Sequence, residues 1–93
     1  MTNAAKRHMA QVAEQGCSLC RQLGYGETPA EVHHIRMGQG MAQRAQDWLV
    51  IPLCPAHHRG THGIHGDRRA FKDAAVDELD LLADTIERTV GRR

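Results

Sequence analysis

Two pairs of metal-ligating residue types, each with a two-residue gap, flank the middle of the chain. They are Cys17-Ser-Leu-Cys20 and Cys54-Pro-Ala-His57. Such a gap lets a tight turn direct both donor atoms of a pair at one ion, and two pairs complete a tetrahedron. Three thiolates and one imidazole are a ligand set that suits zinc. We therefore predict a structural Zn²⁺ ion that joins the two pairs across a loop of 33 residues.

Other roles for the cysteines fit the sequence less well. A redox pair typically lies between a strand and a helix of a βαβ unit, and the sequence shows no such pattern. Haem attachment requires a histidine directly after the second cysteine, where Arg21 stands. Free cysteines in a small core remain the alternative to zinc. The odd number of cysteines, three, argues against disulfides and favours a reducing cytoplasm.

Histidines form a second group, since six of the seven lie between positions 33 and 65. A single histidine is usually a surface or core residue, but six so close together indicate a shared role. Adjacent strand residues point to opposite faces, so only a twist or bulge brings His33 and His34 to one site. Three imidazoles leave coordination positions open, as a catalytic ion requires. The predicted ligands of this second ion are His33, His58 and either His62 or His65.

Three segments must position these residues. Residues 1–16 predict an N-terminal helix, with an apolar stripe at Ala5, Met9 and Val12 and a stop at Gly16. The following segment, residues 17–66, is rich in glycine and holds all three prolines, so it cannot be one regular element. It contains two strand candidates, 30–36 and 48–53, joined by a loop over 37–47 with one helical turn.

The last segment, residues 67–93, predicts one long helix over about 67–90. Its apolar residues recur at spacings of three or four, so they share one face. We expect Asp67 to be the N-cap, Asp84 and Arg88 to form an ion pair, and Gly91 to end the helix. The apolar face comprises Phe71, Ala75, Leu79, Leu82 and Ile86.

These elements predict a single α+β domain: a small zinc-stapled core with a short antiparallel hairpin and a helix, flanked by an N-terminal and a long C-terminal helix. Its 93 residues include only 3% aromatics, so a metal would supplement a small core. No apolar run approaches the ~20 residues of a membrane span, which predicts no membrane association. Residues 1–72 carry nine basic against five acidic side chains, whereas residues 73–93 carry three against six. The basic part permits a nucleic-acid-binding face.

Residues 17–87 resemble an HNH endonuclease of the ββα-metal (His-Me finger) type. The resemblance rests on the CxxC pair, on Glu31-Val32-His33-His34-Ile35 and on Ile51-Pro52-Leu53-Cys54-Pro55-Ala56-His57-His58-Arg59-Gly60. Two later strings are similar to the phage recombination-enhancement (Ref-like) branch of these nucleases. They are Gly63-Ile64-His65-Gly66-Asp67-Arg68 and Glu78-Leu79-Asp80-Leu81-Leu82-Ala83.

The resemblance implies roles for four of the seven histidines. His33 and His58 would be ligands of a catalytic Mg²⁺, Mn²⁺ or Zn²⁺ ion, and His34 the general base. Nucleases with the same histidine pair have their last ligand four residues further on, which selects His62. The Gly-Ile-His string of the Ref-like branch selects His65, which we favour. The asparagine of the HNH pattern is missing, since Asn3 is the only one in the chain, and Asp47 stands roughly in its place.

The same resemblance implies DNA as the substrate and partner, together with a recombinase filament or a larger phage apparatus in the cytoplasm of a bacterial host. A nuclease must neutralise charge on the phosphate, and basic side chains near the motifs are candidates for that contact. They are Arg36, Arg59, Arg68 and Arg69.

Two other functions are compatible with the sequence. A non-catalytic zinc module that binds nucleic acid or protein explains the cysteines and the basic charge, but it gives the additional histidines no task. A second structural zinc or a metal-storage site explains the histidines without any activity. The choice between DNA and RNA, and the oligomeric state, stay open at this point.

Overall fold

The computed structural model describes residues 2–40 and 43–91. Five helices and two strands follow one another in this part of the chain, which confirms the α+β class. Residues 41 and 42 of the predicted loop, and residues 92 and 93 of the predicted C-terminal helix, lie outside the described residues. The elements are α1 (Asn3–Glu14), α2 (Ser18–Leu23), β1 (Glu31–His34), β2 (Val50–Leu53), α3 (Pro55–Arg59), α4 (Arg69–Ala74) and α5 (Glu78–Gly91).

The two strands pair antiparallel, with Glu31 opposite Leu53 and His34 opposite Val50. Both lie inside the segments predicted as strands. Helix α3 begins directly after β2 because Pro55 occupies its first turn, where the missing N–H costs nothing. The chain therefore runs strand, strand, short helix, as the sequence predicts.

The N-terminal helix agrees with the prediction. The Thr2 hydroxyl caps α1 by accepting a hydrogen bond from the Ala5 N–H at 3.0 Å, and Ala5 and Val12 are buried. Gly16 follows with a φ of 79°, a left-handed conformation that ends the helix. The short helix α2 was not predicted. It begins because the Cys17 Sγ accepts a hydrogen bond from the Cys20 N–H, so the metal-ligand turn is also a helix cap.

The prediction of one continuous C-terminal helix over about residues 67–90 is wrong. The segment forms two helices, α4 and α5, separated at Ala75, whose φ is 56°. The break has a local cause: Asp77 and Asp80 each accept a hydrogen bond from the other's backbone N–H at 2.9 Å, which starts a new helix. The expected N-cap is also wrong: Arg68, with a φ of 61°, is the N-cap residue of α4. Asp67 lies one residue earlier and accepts a hydrogen bond from the Arg69 N–H at 2.9 Å.

The break also divides the predicted apolar face. Leu82 is buried as expected, but Leu79 and Ile86 are 48% and 45% exposed. The Asp84–Arg88 ion pair forms at 3.2 Å, and Gly91 is the last residue of α5. The face of α5 that packs inward is instead formed by Glu78, Leu81, Leu82, Thr85 and Thr89.

Helices α1 and α5 pack against β2, and the core lies between them. Its largest fully buried apolar side chains include Leu19, Ile51, Leu53 and Leu81. The three cysteines belong to the same buried cluster. None of the helices in the described ranges is long and apolar enough to cross a membrane.

Candidate metal centres

The structure brings Cys17, Cys20, Cys54 and His57 together, with all four donor atoms within 4.8 Å of one another. The Cys20 and Cys54 sulfurs are 3.8 Å apart, and the His57 Nδ1 lies 3.4–3.5 Å from all three sulfurs. A tetrahedral zinc ion with ordinary bond lengths separates two sulfurs by about 3.8 Å and a sulfur from a nitrogen by about 3.6 Å. This buried group can therefore hold a structural metal ion such as zinc.

Each half of the Cys₃His group comes from a turn that caps a helix. Cys17 and Cys54 are the N-cap residues of α2 and α3, so the second ligand of each pair lies in the first turn of its helix. Burial raises the pKa of the Cys17 and Cys54 thiols and lowers the pKa of His57. Charged thiolates are thus unfavourable here unless a cation compensates them, which a bound zinc ion would do.

The second group consists of His33 from β1, His58 from α3 and His65 from the turn after α3. Their donor atoms also lie within 4.8 Å of one another. The ring centroids are 5.0 Å apart for His33 and His58, 5.1 Å for His33 and His65, and 4.8 Å for His58 and His65. We call these three residues the histidine cluster. Burial, followed by the two neighbouring imidazoles, lowers the pKa of His65 and favours its neutral, metal-binding form.

A glycine turn carries His65 back to α3. The backbone N–H of His65 donates to the His58 carbonyl at 3.1 Å, and that of Ile64 donates to the His57 carbonyl at 2.8 Å. A Cβ atom at Gly63 would lie 2.6 Å from the His57 carbonyl oxygen, so only glycine allows this close approach. The Gly-Ile-His string is thus the local device that places His65 beside His58.

Two carboxylates are hydrogen-bonded to imidazoles of the histidine cluster. Glu78 accepts a hydrogen bond from the His33 Nε2 at 2.6 Å, and Glu31 accepts one from the His58 Nδ1 at 2.7 Å. This leaves the other ring nitrogen of each imidazole available to a metal. Metal-binding histidines in proteins commonly have this arrangement, because the carboxylate orients the ring and increases its basicity.

The two carboxylates are ionised for different reasons. Hydrogen bonds from Arg59 first, and from His58 second, lower the pKa of Glu31 to about 2. Burial by itself would raise the pKa of Glu78, but its hydrogen bonds from His33 and from backbone N–H groups lower it overall.

Neither Glu31 nor Glu78 is among the site residues that the sequence predicts. For Glu31 a signal existed, because residues two apart in a strand share a face and Glu31 is two positions before His33. Glu78 lies 45 residues beyond His33, and nothing local to the sequence links them.

His34 and His62 do not belong to the histidine cluster, and each is bonded to an aspartate instead. The His34 Nε2 is bonded to the Asp47 carboxylate at 2.9 Å, and both side chains are partly exposed. The His62 Nδ1 is 3.0 Å from both Asp67 oxygens and its side chain is largely exposed. The structure therefore groups His65, rather than His62, with His33 and His58.

The four candidate DNA-binding arginines have protein partners. Arg59 forms a two-point ion pair with Glu31 at 2.7 and 3.0 Å, although 64% of its side chain is exposed. Arg69 lies 3.6 Å from an Asp73 oxygen. The guanidinium groups of Arg36 and Arg68 donate to the Gln43 and Ile64 carbonyls. Arg59 is thus joined to the carboxylate that contacts His58, and Arg68 to the turn that carries His65.

The fold and the two clusters define a small α+β protein with a buried Cys₃His group suited to a structural metal and a separate, carboxylate-backed histidine cluster. The chain belongs to the family described as "Protein of unknown function (DUF968)", which matches residues 1–92. It is 33% identical over 88 residues to "Uncharacterized protein YdfU" of Escherichia coli (strain K12). That alignment covers 92% of this chain but only 23% of the relative, so this chain spans less than a quarter of the relative's length. No solved structure matches the chain.

Proposed function

We propose that the protein is a metal-dependent endonuclease of the HNH type that hydrolyses DNA phosphodiester bonds. The observation that carries the proposal is the histidine cluster: three imidazoles from β1, α3 and the following turn converge, and two of them are oriented by carboxylates. A purely structural protein has no need of a second, partly exposed ligand group beside a complete Cys₃His group. The HNH resemblance of the sequence supports the same assignment.

The Cys₃His group has the structural role in this proposal. It fastens the turn before α2 to the junction of β2 and α3, so it fixes the helix that presents His58. The histidine cluster would bind the catalytic Mg²⁺, Mn²⁺ or Zn²⁺ ion. When bound, that ion would neutralise charge on the scissile phosphate and on the departing oxygen.

His34 is the proposed general base. Its Nε2 faces the acidic Asp47, whose pKa is lowered mainly by this hydrogen bond, so the proton resides on Nε2 and the lone pair on Nδ1. An Nδ1 lone pair on a side chain that is 19% exposed can take a proton from water. Asp47 thereby orients the base. It stands roughly where the HNH pattern has the asparagine that this chain lacks.

Exposed arginines supply the proposed DNA contacts, with Arg59 and Arg69 best placed to exchange an intramolecular carboxylate for a phosphate. By the resemblance, the setting is phage or prophage DNA recombination or processing in a bacterial cytoplasm, with a recombinase filament as a further partner. A non-catalytic zinc module that binds nucleic acid or protein is the competing function, since it requires only the Cys₃His group.

Metal content and plasmid nicking, measured together, test the proposal. We expect one tightly bound zinc per chain and nicking of supercoiled DNA that depends on added Mg²⁺ or Mn²⁺. His65→Ala should abolish nicking while the tight zinc remains, and His62→Ala is the matched control. One zinc without cleavage would support the binding module, and two chelator-resistant zincs without cleavage would support a purely structural pair. Either result refutes the nuclease.

A further inference from the structure

We propose that Glu78 is a positioning residue that holds His33 in the tautomer protonated at Nε2, so that its Nδ1 lone pair is available to a metal in the histidine cluster. The inference rests on the metal site of the proposed function and adds a residue from a distant helix to it. It is based on the burial of the Glu78 carboxylate and on the hydrogen bonds that this carboxylate accepts.

Glu78 and His33 are both only 2% exposed. A carboxylate buried to this degree is rare unless its oxygens are hydrogen-bonded. Here they accept from the His33 Nε2 at 2.6 Å, from the Arg36 N–H at 2.9 and 3.0 Å and from the Met37 N–H at 3.0 Å. Two of the three donors are backbone groups that cannot change roles, so the carboxylate stays an acceptor.

The tautomer of His33 follows from this inventory. A neutral imidazole carries one N–H and one lone pair, and the nitrogen that faces an acceptor must carry the proton. Since Nε2 faces Glu78, the lone pair is on Nδ1. A metal binds the lone pair, so the carboxylate determines which side of the ring can act as a ligand.

The start of α5 explains how the carboxylate reaches this place. The reciprocal hydrogen bonds of Asp77 and Asp80 begin the helix, and Glu78 is its first residue. A carboxylate in the first turn is favoured by the unpaired N–H groups of the helix. Arg36 and Met37 follow β1 closely, so Glu78 also fastens the exit of that strand to α5. The break before α5 thus places the Glu78 carboxylate, a hydrogen-bond acceptor, against His33 of the histidine cluster.

Glu78→Gln changes the tautomer with little change of shape. The side-chain amide has one acceptor oxygen, which the backbone N–H groups of Arg36 and Met37 require. Its NH₂ group must then face the His33 Nε2, which has to accept. The His33 proton therefore moves to Nδ1, where it blocks the metal. Glu87→Gln makes the same chemical change at an exposed position of α5 and is the matched control.

The experiment has two readouts on zinc-loaded protein. Nitrogen-detected NMR of the imidazoles, recorded before a second metal is added, should show His33 protonated at Nε2 in the wild type and in Glu87→Gln, but at Nδ1 in Glu78→Gln. Titration with Co²⁺ should show second-site affinity about 10–100-fold weaker in Glu78→Gln than in the control, the usual effect of removing such a carboxylate. The tight zinc should be equal in all three proteins.

Wild-type His33 protonated at Nδ1 would overturn the inference, and so would a folded Glu78→Gln protein with unchanged Co²⁺ affinity. The wild-type spectrum decides the tautomer even if the variant fails to fold. A wild-type protein that shows the Nε2-protonated form yet binds no Co²⁺ beyond the tight zinc would instead refute the metal site of the proposed function. The two failures are therefore distinguishable.

Discussion

Replacing Cys54 with alanine should unfold the protein, because it removes a ligand on which both halves of the Cys₃His group depend. Cys54 is only 4% exposed. Its sulfur lies 3.8 Å from the Cys20 sulfur and 3.4 Å from the His57 Nδ1. It is also the N-cap residue of α3, at the end of β2. The substitution therefore removes the connection between the strand and the turn before α2.

The expected magnitude follows from comparing two free energies. Structural zinc in small domains binds with an apparent free energy of about 10–16 kcal/mol near neutral pH, and that energy contributes directly to folding. A domain of 93 residues has a total unfolding free energy of about 5–14 kcal/mol at ordinary stability per residue. The free energy of zinc binding is thus as large as the total free energy of unfolding. The apolar core cannot offset its loss, since only one Phe, one Trp and one Tyr are present in the chain.

Circular dichroism and metal analysis check this prediction on two purified variants. Cys54→Ala should lack stoichiometric zinc, lose most helical signal at 25 °C and show no cooperative melting. His62→Ala, which removes an exposed imidazole of the neighbouring turn, should melt like the wild type and keep its zinc. Removal of zinc from the wild type with a strong chelator should reproduce the Cys54→Ala spectrum. A soluble Cys54→Ala protein with wild-type helicity and melting temperature would refute the reasoning.

Three further outcomes are expected. His34→Ala should slow plasmid nicking by about 10²–10⁴-fold, the usual contribution of a general base, without changing the melting temperature or metal content; cleavage at the wild-type rate would exclude His34 as the base. Ala75→Gly should raise the unfolding free energy by about 1 kcal/mol in urea titrations, because alanine is strained at a φ of 56°; a decrease would contradict this. Glu31 has a folded-state pKa of about 2 against an ordinary 4.5, so it stabilises the fold above pH 4.5 and stops doing so as the pH falls towards 2. Paired urea titrations should show the wild type losing its advantage over Glu31→Gln in that interval, and a pH-independent difference would contradict the assignment.

The sequence predicts the Cys₃His group well because its signal is local. Each pair of ligands lies within one turn, and the chemistry of cysteine and histidine limits the choice of ion. The two strands could also be predicted from local sequence. Each predicted segment contains β-branched and apolar residues, and glycines and prolines interrupt the chain around it. In both cases neighbouring residues determine the structure.

The C-terminal segment shows why apolar periodicity alone misleads. The spacing from Phe71 to Ile86 is that of one helix, yet the reciprocal pair Asp77 and Asp80 begins a second helix inside it. That pair is a recognisable start signal, three residues apart. The apolar periodicity continues across this start signal, so it predicts one helix. Ala75 does not indicate a break either, because alanine has a high helix propensity and rarely adopts a left-handed conformation.

The choice between His62 and His65, and the role of Glu78, depend on long-range geometry. His65 reaches His58 only because Gly63 lets the turn approach the His57 carbonyl, a contact that spacing does not reveal. Glu78 meets His33 only because α5 packs against β2, beside the strand that carries the histidine. Neither fact follows from residue type and spacing.

The two metal centres depend on each other unequally, because helix α3 serves both. His57 and His58 are consecutive residues of a helix, so their side chains diverge by about 100°. One faces the three cysteines and the other faces the histidine cluster. A five-residue helix without a buried side chain has little stability of its own, so the Cys₃His group must hold it in place. Loss of zinc should therefore disperse the histidine cluster as well, whereas loss of a metal from the histidine cluster should leave the zinc and the fold intact.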